Sequence, residues 1–250
     1  MKKYAFTLAE VLITLGIIGI VAALIMPGLI ANHQKKVLTT QITRASNRIQ
    51  NAAKLYMAKE EISDFFDGNG ENPAAMNAYL NNFMKTAFKV AKDCTNDVSG
   101  CFAASYGNIS KGYFYDGRDE WKNCFTLASG ESVCIFYSSE MDISRFSMMD
   151  PGTIVTATNP AAVVVDTNGK KGPNTLGRDL FVMALDSNGV LQPFVQEELM
   201  LPGACKFGLG CDPPTSTSTT CQKAIALLNL AIGSGLCFES IRDDGWAMNY

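Results

Sequence analysis

The sequence is poor in the residues on which most enzyme chemistry is built. It holds one histidine, His33, so Ser/His/Asp and Cys/His nucleophile systems, histidine general bases and histidine-based zinc hydrolase centres have almost no material. There is no Gly-x-Ser-x-Gly elbow, no phosphate-cradling Gly-x-x-x-x-Gly-Lys and no Gly-x-Gly-x-x-Gly. No Cys-x-x-Cys knuckle is present either, which argues against a structural zinc cluster. Charge is also scarce. Only 18% of residues are charged and the formal net charge is -3, which leaves no basic footprint for nucleic acid. These absences argue against an enzyme and against a nucleic-acid binder, and no catalytic residue is assigned.

Apolar sequence is concentrated at the start of the chain. Val11 to Ile30 is uncharged, and about twenty residues at ~1.5 Å each match the roughly 30 Å hydrocarbon layer of a bilayer. Lys2 and Lys3 before it favour a cytoplasmic N-terminus, although Lys35, Lys36, Arg44 and Arg48 on the far side reduce the charge asymmetry. A secretory signal peptide with a small-residue site such as Val21-Ala-Ala23 is the competing reading. Glu10 argues against it. A carboxylate at the edge of an apolar run is costly when buried without a partner, and a disposable leader has no use for one.

Helical periodicity continues past the apolar run. Leu38, Ile42, Ala45, Ile49, Ala52 and Tyr56 share one face, with Lys36, Gln41, Arg44, Arg48 and Lys54 opposite. One helix from Phe6 to Lys59 is expected, lipid-embedded first and amphipathic afterwards. Asp64 to Asn72 reads as a loop. Asn72-Pro73 then supplies a cap and a first-turn proline. Met76, Tyr79, Leu80, Phe83, Met84, Ala87, Phe88 and Ala91 predict a second amphipathic helix from Pro73 to Lys92.

The eight cysteines, Cys94, Cys101, Cys124, Cys134, Cys205, Cys211, Cys221 and Cys237, all lie beyond the apolar run. An even number confined there indicates disulfides in an oxidising compartment. Cys94 and Cys101 can close a short loop after the second helix. Two β-rich runs flank Ala128-Ser129-Gly130, a three-residue hairpin loop with glycine at the left-handed position. Counting outward from Leu127 opposite Glu131 sets Cys124 opposite Cys134, within disulfide reach. Further strands are expected at Ala161 to Asp166, Leu180 to Leu185 and Val190 to Phe194, the last two joined by the turn Asp186-Ser-Asn-Gly189. Short strands with tight turns after a long helix imply an antiparallel sheet, hence an α+β head. Beyond them, Leu201 to Pro214 is turn-rich and Thr215 to Thr220 reads as an exposed polar connector. Cys221 to Ile232 reads as a short helix, flanked by Cys221 and Cys237 as candidate partners. Trp246 and Tyr250 near the terminus are expected to dock on the head.

The N-terminal residues carry a family resemblance. Lys-Lys-Tyr-Ala followed by Phe6-Thr-Leu-Ala-Glu10-Val-Leu-Ile resembles the leader and mature start of type IV pilins and type II secretion pseudopilins. The resemblance implies cleavage by prepilin peptidase between Ala5 and Phe6 and methylation of the new amine. Ala5 stands where the family nearly always has glycine. It further implies that Glu10 meets the N-terminal amine of a neighbouring subunit, and that Pro27 is the helix proline found in many pilins. The organisation implied is a leader over residues 1–5, a transmembrane assembly helix over 6–30, its amphipathic half over 31–60, and an α+β head over 61–250 with a disulfide-rich C-terminal region. The fold implied is pilin-like, with the helix packed on a small antiparallel sheet. The implied partners are other pilin or pseudopilin subunits, prepilin peptidase, an inner-membrane assembly platform and the lipid bilayer. The implied location is the bacterial inner membrane with the head outside the cytoplasm, then a pilus or pseudopilus.

One polar constellation remains, from Asp166 to Asp179. Oxygen-bearing side chains at alternate positions before Gly169 resemble the opening of a calcium loop, with Asp166, Asn168, Asn174 and Asp179 as ligands. Some pseudopilins bind calcium near their C-terminal strands. Against it stand Lys170 and Lys171 and the lack of a bidentate Glu at EF-hand spacing. The alternative is a turn-rich loop held by Asx hydrogen bonds. Two functional classes therefore fit the sequence: a filament subunit, and a membrane-anchored extracytoplasmic protein binding DNA, sugar or another surface ligand.

Overall fold

The computed structural model describes residues 7–66, 72–107, 121–137, 140–142, 154–156, 161–193, 237–238 and 241–248. The chain divides into two compact units, Met1–Val37 and Leu38–Tyr250.

In the first unit the described backbone is the opening part of α1, a continuous helix from Leu8 to Glu60. Its large apolar side chains from Leu8 to Ile30 are exposed. From Leu38 onward, in the second unit, the same helix becomes one-sided: Leu38, Ile42, Ala45, Ile49, Ala53 and Tyr56 are buried in the core. Ala53 rather than the expected Ala52 is the fully buried alanine of this stripe.

Helix α2, Pro73–Ala87, begins where its cap and proline place it. The Asn72 side chain accepts from the N–H groups of Ala74 and Ala75, filling two of the donors that a helix start leaves open. It ends five residues before the expected Lys92. Phe88 is extended at φ -125° and ψ 148°, and Val90–Asp93 forms strand β1 against β2. The apolar spacing that suggested more helix is met differently. Phe88 stays buried against Phe83, whereas Ala91 is exposed on the strand. Pairing Val90 with Leu127 satisfies backbone groups that a further helical turn would have satisfied internally, a tertiary choice invisible to periodicity.

The remaining strands are β2 (Cys124–Leu127), β3 (Ser132–Tyr137), β4 (Glu140–Asp142), β5 (Ile154–Thr156), β6 (Ala161–Asp166), β7 (Leu180–Leu185) and β8 (Leu191–Pro193). Six of the strands form one sheet in the order β1-β2-β3-β6-β7-β8, antiparallel throughout. β4 and β5 pair with each other separately, between β3 and β6 in the chain. The expected α+β head with a small antiparallel sheet is therefore what the chain builds, and β6 and β7 carry the expected bounds.

Both faces of this sheet are covered, which explains why β6 and β7 are buried at every position. Val133, Ile135, Val163, Val165, Phe181 and Met183 pack with α1 and α2. On the other face Cys134, Phe136, Val164 and Val182 pack with Phe102, Tyr106 and Trp121. Such two-sided burial produces continuous apolar runs in place of alternation. The Trp246 ring joins the helix-side core and meets Phe238 edge-on at 6.1 Å. Tyr250, Thr215 to Thr220 and the expected helix from Cys221 to Ile232 lie outside the described residues.

Candidate functional site: the N-terminal helix and the head loops

The start of α1 is held by a reciprocal capping box, Thr7-Leu-Ala-Glu10. The Thr7 N–H and hydroxyl donate to Glu10 Oε2 at 2.9 and 2.8 Å, and the Glu10 N–H donates to Thr7 Oγ1 at 3.3 Å. This closes donors that the first turn leaves open and sets a carboxylate at the positive end of the helix dipole. The Thr-x-x-Glu spacing is a signal for this cap in the sequence itself. The Thr14 hydroxyl donates back to the carbonyls of Glu10 and Val11, both at 2.9 Å, so it adds no unsatisfied group to the apolar stretch. Pro27 lies inside α1, where it brings no N–H to the ladder. Ala5 and Phe6, the expected processing residues, lie outside the described residues. A window of α1 is long and apolar enough to cross a membrane, and none of that window is buried.

The head carries two of the expected cross-links. Cys94 and Cys101 are bonded across a Cα separation of 6.0 Å. Cys124 and Cys134 are bonded at 4.0 Å, as direct partners in the β2–β3 ladder. The hairpin register that places them there is the one expected, with the Leu127 N–H donating to the Glu131 carbonyl and Gly130 at φ +104°. Cys237 is disulfide-bonded as well, while Cys205, Cys211 and Cys221 lie outside the described residues. At the hairpin mouth the Arg48 guanidinium, from α1, donates to Glu131 and Ser129.

The four residues considered for calcium all occur in the β6–β7 connection. Asp166 is fully buried. Its Oδ2 accepts from the Tyr106 hydroxyl at 2.5 Å and its Oδ1 from the Asn168 N–H at 3.1 Å. Burial is the main cause that pushes the Asp166 carboxyl up to about 8, the nearby Asp179 adds to it, and the Tyr106 hydrogen bond opposes it. Asp179, also fully buried, accepts from the N–H groups of Asn174 and Thr175 at 2.6 and 2.5 Å. Burial raises its pKa too, against those backbone donors. Each carboxylate oxygen thus already receives a hydrogen bond from the chain. The Asn168 amide donates to the Gly172 carbonyl at 3.2 Å, and the Oδ1 atoms of Asn168 and Asn174 are buried without a donor. Among the described residues no cluster of three or more His, Cys, Asp or Glu side chains gathers. The Asn168 N–H bond to Asp166 Oδ1 is the local contact of an Asx turn. Tyr106, which locks Asp166 from sixty residues away, carried no signal in the sequence.

A membrane-competent helix with an acid at its head, joined to a disulfide-bonded α+β domain, is consistent with the pilin-like fold that the N-terminal residues imply. Residues 1–26 match the family model of the prokaryotic N-terminal methylation motif, the prepilin-type signal of type IV pilins and pseudopilins. No curated protein and no solved structure matches the chain. The match covers the N-terminal motif alone; it supports a pilin-like precursor and, with the apolar helix, fits one anchored in an inner membrane.

Proposed function

We propose that the chain is a structural subunit of a type IV pilus-like or type II secretion pseudopilus filament. Prepilin peptidase removes residues 1–5, the assembly platform extracts the subunit from the bilayer, and the exposed apolar part of α1 packs against the same segment of other subunits. The observation that carries this reading is an exposed apolar stretch of α1 with one acid, Glu10, inside a methylation motif. A cationic amine and a carboxylate are each costly in lipid. They become tolerable when stacking lets the Phe6 amine of one subunit neutralise Glu10 of another. Glu10 thereby sets axial register.

The capping box makes Glu10→Gln the informative substitution, because glutamine serves the same cap without the charge. Glu10→Gln is expected to leave the protein processed, membrane-inserted and folded but to abolish incorporation into filaments. Filament yield in sheared fractions, set beside membrane content, reads this out. Wild-type yield would refute the charge pairing. Intact-mass measurement is expected to show loss of Met1 to Ala5 with a methyl group on Phe6. An unprocessed, stationary chain would favour the membrane-anchored binding protein instead.

A further inference from the structure

An open groove on the described part of the head brings charge and exposed apolar surface together. About 810 Å³ in volume, it runs between the amphipathic part of α1, the end of α2 and the tip of the β2–β3 hairpin. Arg44, Arg48 and Lys89 supply its cations, and Ala52, Leu55 and Phe88 its apolar wall. Among the described residues from Leu38 onward, Leu55 is the single exposed large apolar side chain, at 71%. Arg48 is engaged with Glu131, whereas Arg44 and Lys89 have no acidic partner among the described residues. An isolated exposed leucine needs no explanation. One set in a groove beside unpaired cations has the make-up of an interface core with a polar rim.

The complementary surface is on the same helix. Glu60 ends α1, and Glu61 and Asp64 follow it directly, all three exposed. Glu60 has only a loose 3.5 Å contact with its neighbour Lys59. Glu61 and Asp64 have no cationic partner among the described residues. Ile62 and Phe66 between and beside them are half-buried, so the acidic segment offers apolar surface as well. Arg44 and Arg48 precede Glu60 by twelve to sixteen residues of continuous helix, about 18–24 Å along its axis. A second copy lying beside the first and displaced along that axis by this distance has its acids level with these cations.

We propose that this groove receives the acidic end of α1, Glu60, Glu61 and Asp64, from a second copy of the chain. Leu55 is the apolar anchor, and Arg44 and Lys89 are the charges that select the register. The axial direction of the displacement rests on the filament reading, whereas the contact itself rests on the groove and its complement. Opposite charges at such a rim steer and register the encounter, and like charges set across it exclude the pairing.

The test uses the full chain in its native membrane. With p-benzoylphenylalanine in place of Leu55, irradiation is expected to give a covalent pair whose cross-link maps to residues 59–66 of the second copy. In parallel, Arg44→Glu with Lys89→Glu, and separately Glu60→Lys with Glu61→Lys, are each expected to lower filament yield by about tenfold, because like charges then face each other. Combining the two reversals is expected to recover most of that yield. Cross-links to another segment, to another protein, or none in an assembling chain would overturn the proposal, as would reversals without effect or without mutual rescue. A cross-linked pair in membranes that never yield filaments would uphold the contact and sink the filament reading, so the two fail separately.

Discussion

At the scale of single residues, Asp166 departs far from ordinary side-chain chemistry. Its carboxyl has a folded-state pKa near 8 against an ordinary 3.8. Between those values the folded chain holds a proton that the unfolded chain has lost. Stability therefore falls as pH rises through this window, and the contribution is fully present only at its acid end. Asp179 is shifted in the same direction. Asp93 behaves oppositely: a hydrogen bond from Lys85 draws it down to about 2, so its smaller, half-exposed contribution is lost only in stronger acid. Asp166→Asn is expected to flatten the decline between about pH 4 and pH 8 and to raise stability at the alkaline end, measured as urea midpoints across pH. An unchanged slope would remove Asp166 as its source. Tyr106→Phe deletes the donor that offsets the buried charge, and is expected to cost about 1–3 kcal/mol at pH 8 and less at pH 5. The same loop yields a metal test. Excess chelator is expected to leave the melting temperature unchanged, and a fall of several degrees would make calcium a component of the β6–β7 connection.

At the scale of elements, what could be read from the sequence was whatever is decided locally. Asn72 and Pro73 mark the start of α2 because cap and proline chemistry act within one turn. Ala128-Ser129-Gly130 fixes the β2–β3 register because a loop of that length with a left-handed glycine permits few pairings, and the Cys124–Cys134 bond follows from counting along the ladder. Replacing both cysteines by alanine is expected to lower stability by about 2–3 kcal/mol without unfolding the head, since β3 is paired along its whole length with β6. Loss of the fold would show that the hairpin depends on the bond. What was not legible depends on distant partners. The end of α2 is set by the pairing of β1 with Leu127, and the second covered face of the sheet is supplied by Phe102, Tyr106 and Trp121. At the candidate site, Glu10 was legible as an acid out of place, and its Thr7 partner was legible in principle from the capping spacing. The groove beside Leu55 was not, because Lys89 and Ser129 meet α1 only in the folded head.

At the scale of the molecule, one helix serves two different ends, and the change occurs where the two units divide, at Val37 and Leu38. Before that point the large apolar side chains are exposed, which in water would be an aggregation liability and in lipid or a filament is an assembly surface. After it, Ile42 and Ile49 are buried in the helix-side core. Folding and assembly should therefore respond to different halves of α1. Ile49→Ala leaves a cavity in a packed core and is expected to cost about 2–5 kcal/mol, seen as a lower thermal midpoint of the full chain in detergent. Glu10→Gln is expected to leave that midpoint within a degree of wild type while removing filament incorporation, since among the described residues the Glu10 carboxylate bonds with Thr7 of its own first turn. A shift of several degrees on Glu10→Gln would mean that the carboxylate belongs to the fold. In that case its place in the apolar run would no longer require a neighbouring subunit to explain it.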